Sequence, residues 1–191
     1  MILSAKKILE LNKRYKLIEG LSEREENNPE GVGFDLRAGE AFGINGEGFL
    51  GVTERKTPNE TVIASIERGD KDFTIMPGEY VLVKTIEKVN LPGEKIIVEE
   101  NKEPVLVMIK VHPRSTLHRS GIYFMATKVD PGYSGQLTFA LANLGKSPFR
   151  LELGARFANI TFEQVVGDLA RAYSGQWQGG RVSAKKKEKQ N

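Results

Sequence analysis

Apolar residues fall into two regimes along this chain. Near the start, Ser4 precedes Lys6, Lys7, Ile8, Leu9 and Leu11, with Ile8 and Leu11 on one helical face and Ser4 placed to cap the first turn. The pattern predicts one amphipathic helix and no second long one. Beyond it the apolar runs shorten to strand length, at 79–85, 105–111, 136–142 and 157–162. Pro77-Gly78, Pro92-Gly93, Pro131-Gly132 and Leu144-Gly145 lie between or beside them as turns. Short apolar runs punctuated in this way predict an all-β barrel or sandwich.

Three stretches break the pattern. Residues 23–31 are polar and rich in turn formers, so they are expected to connect rather than pack. Residues 43–72 mix glycine with charged residues and carry few long apolar runs, which predicts an irregular insertion or a peripheral hairpin. Near the end, Tyr173-Ser-Gly-Gln-Trp-Gln-Gly-Gly-Arg181 sets the single tryptophan among glycines. That composition fits a mobile strap closing on something better than a piece of core.

Length and composition narrow the function. At 191 residues the chain fits one domain with room for a real core. It has no cysteine, so disulfides, thiolate metal sites and thiol catalysis are excluded. The start lacks the apolar core of a signal peptide and no run of about 18 apolar residues occurs, so the expected location is cytoplasmic. Part of the net charge of +3 comes from Lys185-Lys-Lys-Glu-Lys189, read as part of a solvated, disordered basic tail over 183–191. Without an aromatic-interleaved basic surface, nucleic acid is not an expected partner.

Two segments carry candidate chemistry. Pro113-Arg-Ser-Thr-Leu-His-Arg-Ser-Gly121 follows a predicted strand and offers two guanidiniums, three hydroxyls and the free N–H groups of a helix start. Such a set can hold a polyphosphate, although by composition alone it is sooner a capped surface helix with solvated arginines. Val129-Asp-Pro-Gly-Tyr-Ser-Gly135 lies between two predicted strands. Alone, its Asp130 is a turn former; in a hairpin whose backbone groups read a pyrimidine edge, it is a base for water. His112 reads as structural and His118 as a solvated helix residue. With no carboxylate at ligand spacing, no zinc site is expected.

Taken in order, these segments resemble the dUTPase and dCTP deaminase superfamily, most closely its archaeal-type dCTP-deaminase-like dUTP diphosphatases. Gly33-Phe-Asp-Leu36 is similar to the family's Gly-Tyr-Asp-Leu, and Arg114-Ser-Thr-Leu117 with Arg119 to its Arg-Ser-Ser-Leu-x-Arg phosphate motif. Val129–Gly135 resembles Ile-Asp-Pro-Gly-Trp-x-Gly, and Gly154-Ala-Arg-Phe-Ala-Asn-Ile160 resembles Gly-x-Arg-x-x-Gln-Ile. Tyr173 to Gly179 and the opening Met-Ile-Leu-Ser-x-Lys are similar to the deaminase branch. The resemblance implies a mainly β, distorted dUTPase-like barrel (β-clip) with a short N-terminal helix over 1–182. Residues 43–72 would be a peripheral insertion and 168–182 a strap over the active site. It further implies a homotrimer with active sites between subunits, and Mg²⁺ on the triphosphate. Arg114, Ser115, Thr116 and Arg119 would contact phosphates. Ala126, Thr127, Lys128 and Val129, joined by Gln136, would line base and sugar, and Tyr173, Trp177 and Gln178 would close over the nucleotide. Thr116 replaces the usual second serine but keeps a hydroxyl.

The two branches differ in one place. In dCTP deaminases the strand after the hairpin reads Val-Leu-Glu-Phe and its glutamate shuttles protons; here the aligned residue is Ala140. Deamination needs that shuttle, and no Asp or Glu occurs from Pro131 to Leu151. Hydrolysis of dUTP between its α and β phosphates needs an in-line water, a base and cations. Asp130, Arg114, Arg119 and Mg²⁺ meet that need. The expected activity is dUTP diphosphatase, with dCTP deaminase as the alternative and a non-catalytic nucleotide binder as the third reading.

Overall fold

Ser4 caps the first helix as the sequence predicts. In the computed structural model, which describes residues 1–184 and 186–189, its Oγ accepts from the Lys7 N–H (3.2 Å) at the head of α1 (Ala5–Tyr15). Ala5, Ile8 and Leu11 form the buried stripe, and Lys16 ends the helix in the left-handed region (φ 53°). After the short β1 (Ile18–Glu19) comes α2 (Glu23–Asn27), where a connector was expected. The legible signal there was Ser22-x-x-Glu25, a capping pattern: Ser22 Oγ accepts from the Glu25 N–H.

The rest is β structure. Chain order gives β2 (Gly33–Asn45), β3 (Phe49–Leu50), β4 (Glu54–Lys56), β5 (Asn59–Ser65), β6 (Asp72–Ile75), β7 (Tyr80–Asn90) and β8 (Leu106–Pro113). Then follow α3 (Ser115–Arg119), β9 (Ile122–Met125), β10 (Ser134–Asn143), β11 (Phe149–Glu152), β12 (Arg156–Val165) and β13 (Glu188–Lys189). The four apolar runs picked out above lie in β7, β8, β10 and β12.

The main sheet is antiparallel, in the order β8-β12-β2-β7-β10-β9, with β1 added to β7 and β5 to β2. Its two ends return to one another. Just past β9, Val129 bridges Ile109 of β8 through N–H to C=O bonds of 2.9 and 3.0 Å. The sheet is thereby almost closed into a barrel, as expected. Phe34, Phe157 and Phe162 are completely buried inside it, each worth about 1.5–3 kcal/mol in transfer terms. Phe124, Phe139 and Phe157 stack within 5.1–6.1 Å of one another. Alternation in β7 puts Glu87 on the buried side with Val81, Val83 and Val89. Arg37 answers it, donating from Nε (2.6 Å) and its backbone N–H (2.8 Å). Burial nonetheless pushes the Glu87 carboxyl above its usual range.

Residues 43–72 are an arm built on the main sheet. β2 continues out to Asn45, β3 and β4 form its tip, and β5 returns in register from Asn45↔Asn59 to Glu40↔Ser65. Among the C-terminal residues Lys186, Lys187 and Lys189 are exposed, as expected of a solvated tail, but two segments are ordered where disorder was expected. Ser183 and Ala184 are buried and β13 pairs with β4. Lys185, Gln190 and Asn191 of that expected tail lie outside the described residues.

Candidate active site

The Asp130 hairpin is held at three points. Val129 bridges β8, Gly132 donates its N–H to Leu91 C=O (2.9 Å), and Tyr133 C=O accepts from the Leu91 N–H (2.8 Å). Asp130 keeps 39% of its side-chain surface exposed and pairs with Lys128. Tyr133, by contrast, points inward, and its hydroxyl donates to Gln136 C=O (2.6 Å). Burial, reinforced by the neighbouring Tyr173, pushes its phenol up to about 12.

The strap lies on this hairpin. Tyr173 donates its N–H to Pro131 C=O (2.8 Å), its ring meets Tyr133 edge-on at 5.6 Å, and its hydroxyl accepts from the Trp177 N–H. Gln178 grips the other side, accepting from the Ser134 N–H (2.9 Å) and donating to Gly132 C=O (2.7 Å). Two glycines make the approach possible. Gly132 (φ 96°) and Gly135 (φ 150°) both sit where L side chains strain. A Cβ at Gly135 would stand 2.4 Å from the Gly180 nitrogen.

Between hairpin, strap and arm lies a cleft of about 540 Å³. The hairpin gives it Thr127, Lys128, Val129, Asp130 and Tyr133; β10 gives Leu137, Thr138 and Phe139; the strap gives Tyr173 and Trp177. Sequence reasoning missed the opposite wall. Ile44, Thr57 and Pro58 of the arm, Tyr80 and Leu82 of β7, and Arg181, Val182 and Ser183 complete it. No local signal marks them, because β2 and β5 bring the arm back over the sheet by long-range pairing. Asp130 is the one carboxylate among the described lining residues.

Other expected site residues sit elsewhere. Gln136 spends its Nε2 on Thr85 C=O (3.0 Å), beside the bulge where Leu137 N–H donates to Thr85 Oγ1. Ala126 is exposed next to the cleft but does not line it. Ala140 is buried between Leu82 and Met125 of the flanking strands, with no carboxylate beside it in register.

Arg114, Ser115, Thr116 and Arg119 are also absent from the cleft wall. They form α3 and its entry on the far end of β8, where Arg114 N–H donates to Phe157 C=O. The Arg114 guanidinium pairs with Asp35. That carboxylate, 4% exposed, also accepts from Arg156 (2.9 Å) and Asn159 (2.9 Å), while its backbone N–H donates to the fully buried Glu25. The Gly-Phe-Asp-Leu and Gly-Ala-Arg segments thus converge on the arginine that opens α3, orienting it through charge-assisted bonds. Ser115, Thr116, His118 and Arg119 are exposed, as is His112 in β8.

Among the described residues, no three His, Asp or Glu side chains gather as a metal site. No helix among them is long and apolar enough to cross a membrane.

A sequence profile of the dCTP deaminase-like family matches residues 2–165. A dUMP-forming dCTP deaminase of Dictyoglomus turgidum is 32% identical over 178 residues, covering 91% of this chain and 85% of the relative. A dCTP deaminase of Pyrococcus furiosus is 32% identical over 174 residues, covering 91% and 92%. The crystal structure of 2'-deoxycytidine 5'-triphosphate deaminase from Agrobacterium tumefaciens superposes with a TM-score of 0.60 at 16% identity, covering 86% of this chain and 49% of that one.

Proposed function

Because this chain belongs to the dCTP deaminase-like family, we propose that it hydrolyses dUTP to dUMP and pyrophosphate. The observation that carries the reading is the cleft's charge inventory. Asp130 supplies its one carboxylate, and the strand position from which deaminases present a glutamate holds the buried Ala140. Water attacking the α-phosphorus gives up its proton to Asp130, and the bond to the bridging oxygen breaks to release pyrophosphate. Lys128, paired with Asp130 in the free protein, gains a competing anionic partner when a triphosphate enters, which frees the carboxylate to accept that proton.

Thr127, Lys128 and Val129 lie along base and sugar, with Ala126 and Gln136 beside them, and Tyr173, Trp177 and Gln178 close over the nucleotide. Arg114, Ser115, Thr116 and Arg119 hold the phosphates of a nucleotide bound in a neighbouring subunit's cleft. Their absence from the cleft wall of their own chain is what a homotrimer with sites between subunits requires. Mg²⁺ would arrive on the triphosphate, since no three His, Asp or Glu side chains gather as a site for it among the described residues.

The relatives' names favour a second reading, deamination of dCTP. Forming dUMP from dCTP requires loss of both the amine and pyrophosphate, and this chain retains the groups for the second loss only. Incubation with Mg²⁺ and either dUTP or dCTP, with products separated by chromatography, decides between them. dUMP from dUTP alone is expected; dUTP or dUMP appearing from dCTP overturns the proposal in favour of deamination. No product from either nucleotide leaves a binding protein, the third reading.

A further inference from the structure

The segment after the strap is fastened to the arm by contacts of several kinds. Ser183 Oγ donates to Glu60, and the Ala184 N–H donates to Thr57 Oγ1 (2.6 Å). Ala184 itself is completely buried. Further on, β13 pairs with β4 in the register Glu188↔Arg55 and Lys189↔Glu54, while Lys187 reaches Glu54 (3.6 Å) and lies 5.3 Å from the Phe49 ring centre. Arg181, at the strap's end, folds back on the same segment through Ser183 C=O (2.8 Å) and Glu188. Arm and tail meet on the wall of the cleft, to which Thr57, Pro58, Val182 and Ser183 all contribute.

We infer that residues 181–184 and 186–189, with the arm tip, form a latch that holds the strap shut over the cleft. The strap's own grip on the hairpin is a handful of hydrogen bonds through Tyr173 and Gln178 and the partly buried rings of Tyr173 and Trp177, and a short segment held by so few contacts opens locally at small cost. Seating Ala184 and zipping β13 onto β4 fixes the strap's far end as well, so both ends must release before the strap lifts. The arm is the fixed jaw, because β5 anchors it to the main sheet along β2. Release of the tail exposes the arm side of the cleft and the strap together. The latch does not depend on which nucleotide, if any, the cleft takes.

Trp177 is the chain's single tryptophan and sits in the strap, so its fluorescence reports the strap alone. Ala184→Glu puts an unpaired carboxylate into a buried seat beside Glu60, which expels the tail. In the full-length protein this substitution should raise the acrylamide quenching constant of Trp177 by about twofold or more, with the far-ultraviolet circular dichroism of the barrel unchanged. An unchanged quenching constant in the folded variant overturns the latch. Should Ala184→Glu fail to fold, a locked form decides. The chain has no cysteine, and Arg55 and Glu188 are direct cross-strand partners, within the Cα separation a disulfide spans. In the double variant Arg55→Cys, Glu188→Cys, oxidation should slow tryptic cleavage after Arg171, in the strap, severalfold relative to the reduced protein. Equal rates overturn the proposal.

Discussion

At the scale of single residues, Asp130 and Tyr133 lie three positions apart in one hairpin and line the same cleft, one partly exposed and the other buried. Asp130 is open to the cleft and to solvent, as a proton acceptor for water must be. Asp130→Asn keeps the shape and removes the base, so dUTP turnover should fall by about 10²–10⁴-fold with triphosphate binding retained. Steady-state rates and equilibrium titration of the same variant check this, and full activity would remove Asp130 from the mechanism. Tyr133 titrates at about 12 in the folded chain against an ordinary 10.0. A raised folded value means its stabilisation is complete below the unfolded pKa, near 10, and is lost as pH rises through 12. Up to about 2–3 kcal/mol is at stake. Tyr133→Phe should therefore lose about 1 kcal/mol at neutral pH, from the bond to Gln136, and show a shallower decline between pH 10 and 12. Urea denaturation across that range measures both. Both residues were visible in the sequence, but their unequal burial was not, because a Pro-Gly turn does not say which side of it meets the core.

At the scale of elements, the strands were legible wherever one face is buried: β7 alternates cleanly along its whole length, and β10 alternates until Phe139, Ala140 and Leu141, which are buried in succession. The arm was not. Val62 and Ile63 of β5 are exposed, so burial does not impose alternation on it, and its pairing partner β2 comes earlier in the chain across β3 and β4. The tail differs only in part: Lys186, Lys187 and Lys189 are exposed as their composition says, while the seat of Ser183 and Ala184 is made by distant residues such as Thr57 and Glu60. Glu25 escaped notice because a charged residue in a polar run looks exposed, yet its partners are the Asp35 backbone and Arg24. The strap shows what an element-level test looks like. Gly135→Ala adds a Cβ where Gly180 already stands, at a φ that costs about 1–3 kcal/mol for other residues. The strap should detach while the barrel holds, seen as a red shift of Trp177 emission with an unchanged circular dichroism spectrum. A native emission maximum in that variant would show that the strap does not depend on the close glycine approach.

At the scale of the whole molecule, the proposed site is split into two parts within one chain. The cleft has base, strap and walls, while the guanidiniums and hydroxyls of α3 and its entry stand outside it, Arg114 oriented by Asp35. In the proposed trimer each cleft borrows α3 from a neighbour, which predicts complementation. Asp130→Asn and Arg119→Ala should each be inactive alone, and unfolding and refolding them together should restore a fraction of the wild-type rate. No recovery in mixtures shown to contain both variants would confine the site to one chain. The Ile109–Val129 bridge has a consequence of another kind. Asp130 is the next residue after Val129, which bridges the sheet's first strand just past its last, so the proposed base is mounted on the seam of the barrel. A lid can loosen by itself, whereas a seam residue is in place only when the whole circumference is closed. Increasing urea should thus erase turnover and barrel circular dichroism at one midpoint, and activity vanishing well before the barrel opens would mean that the seam parts first. Placed there, the proposed base would tie activity to a closed seam.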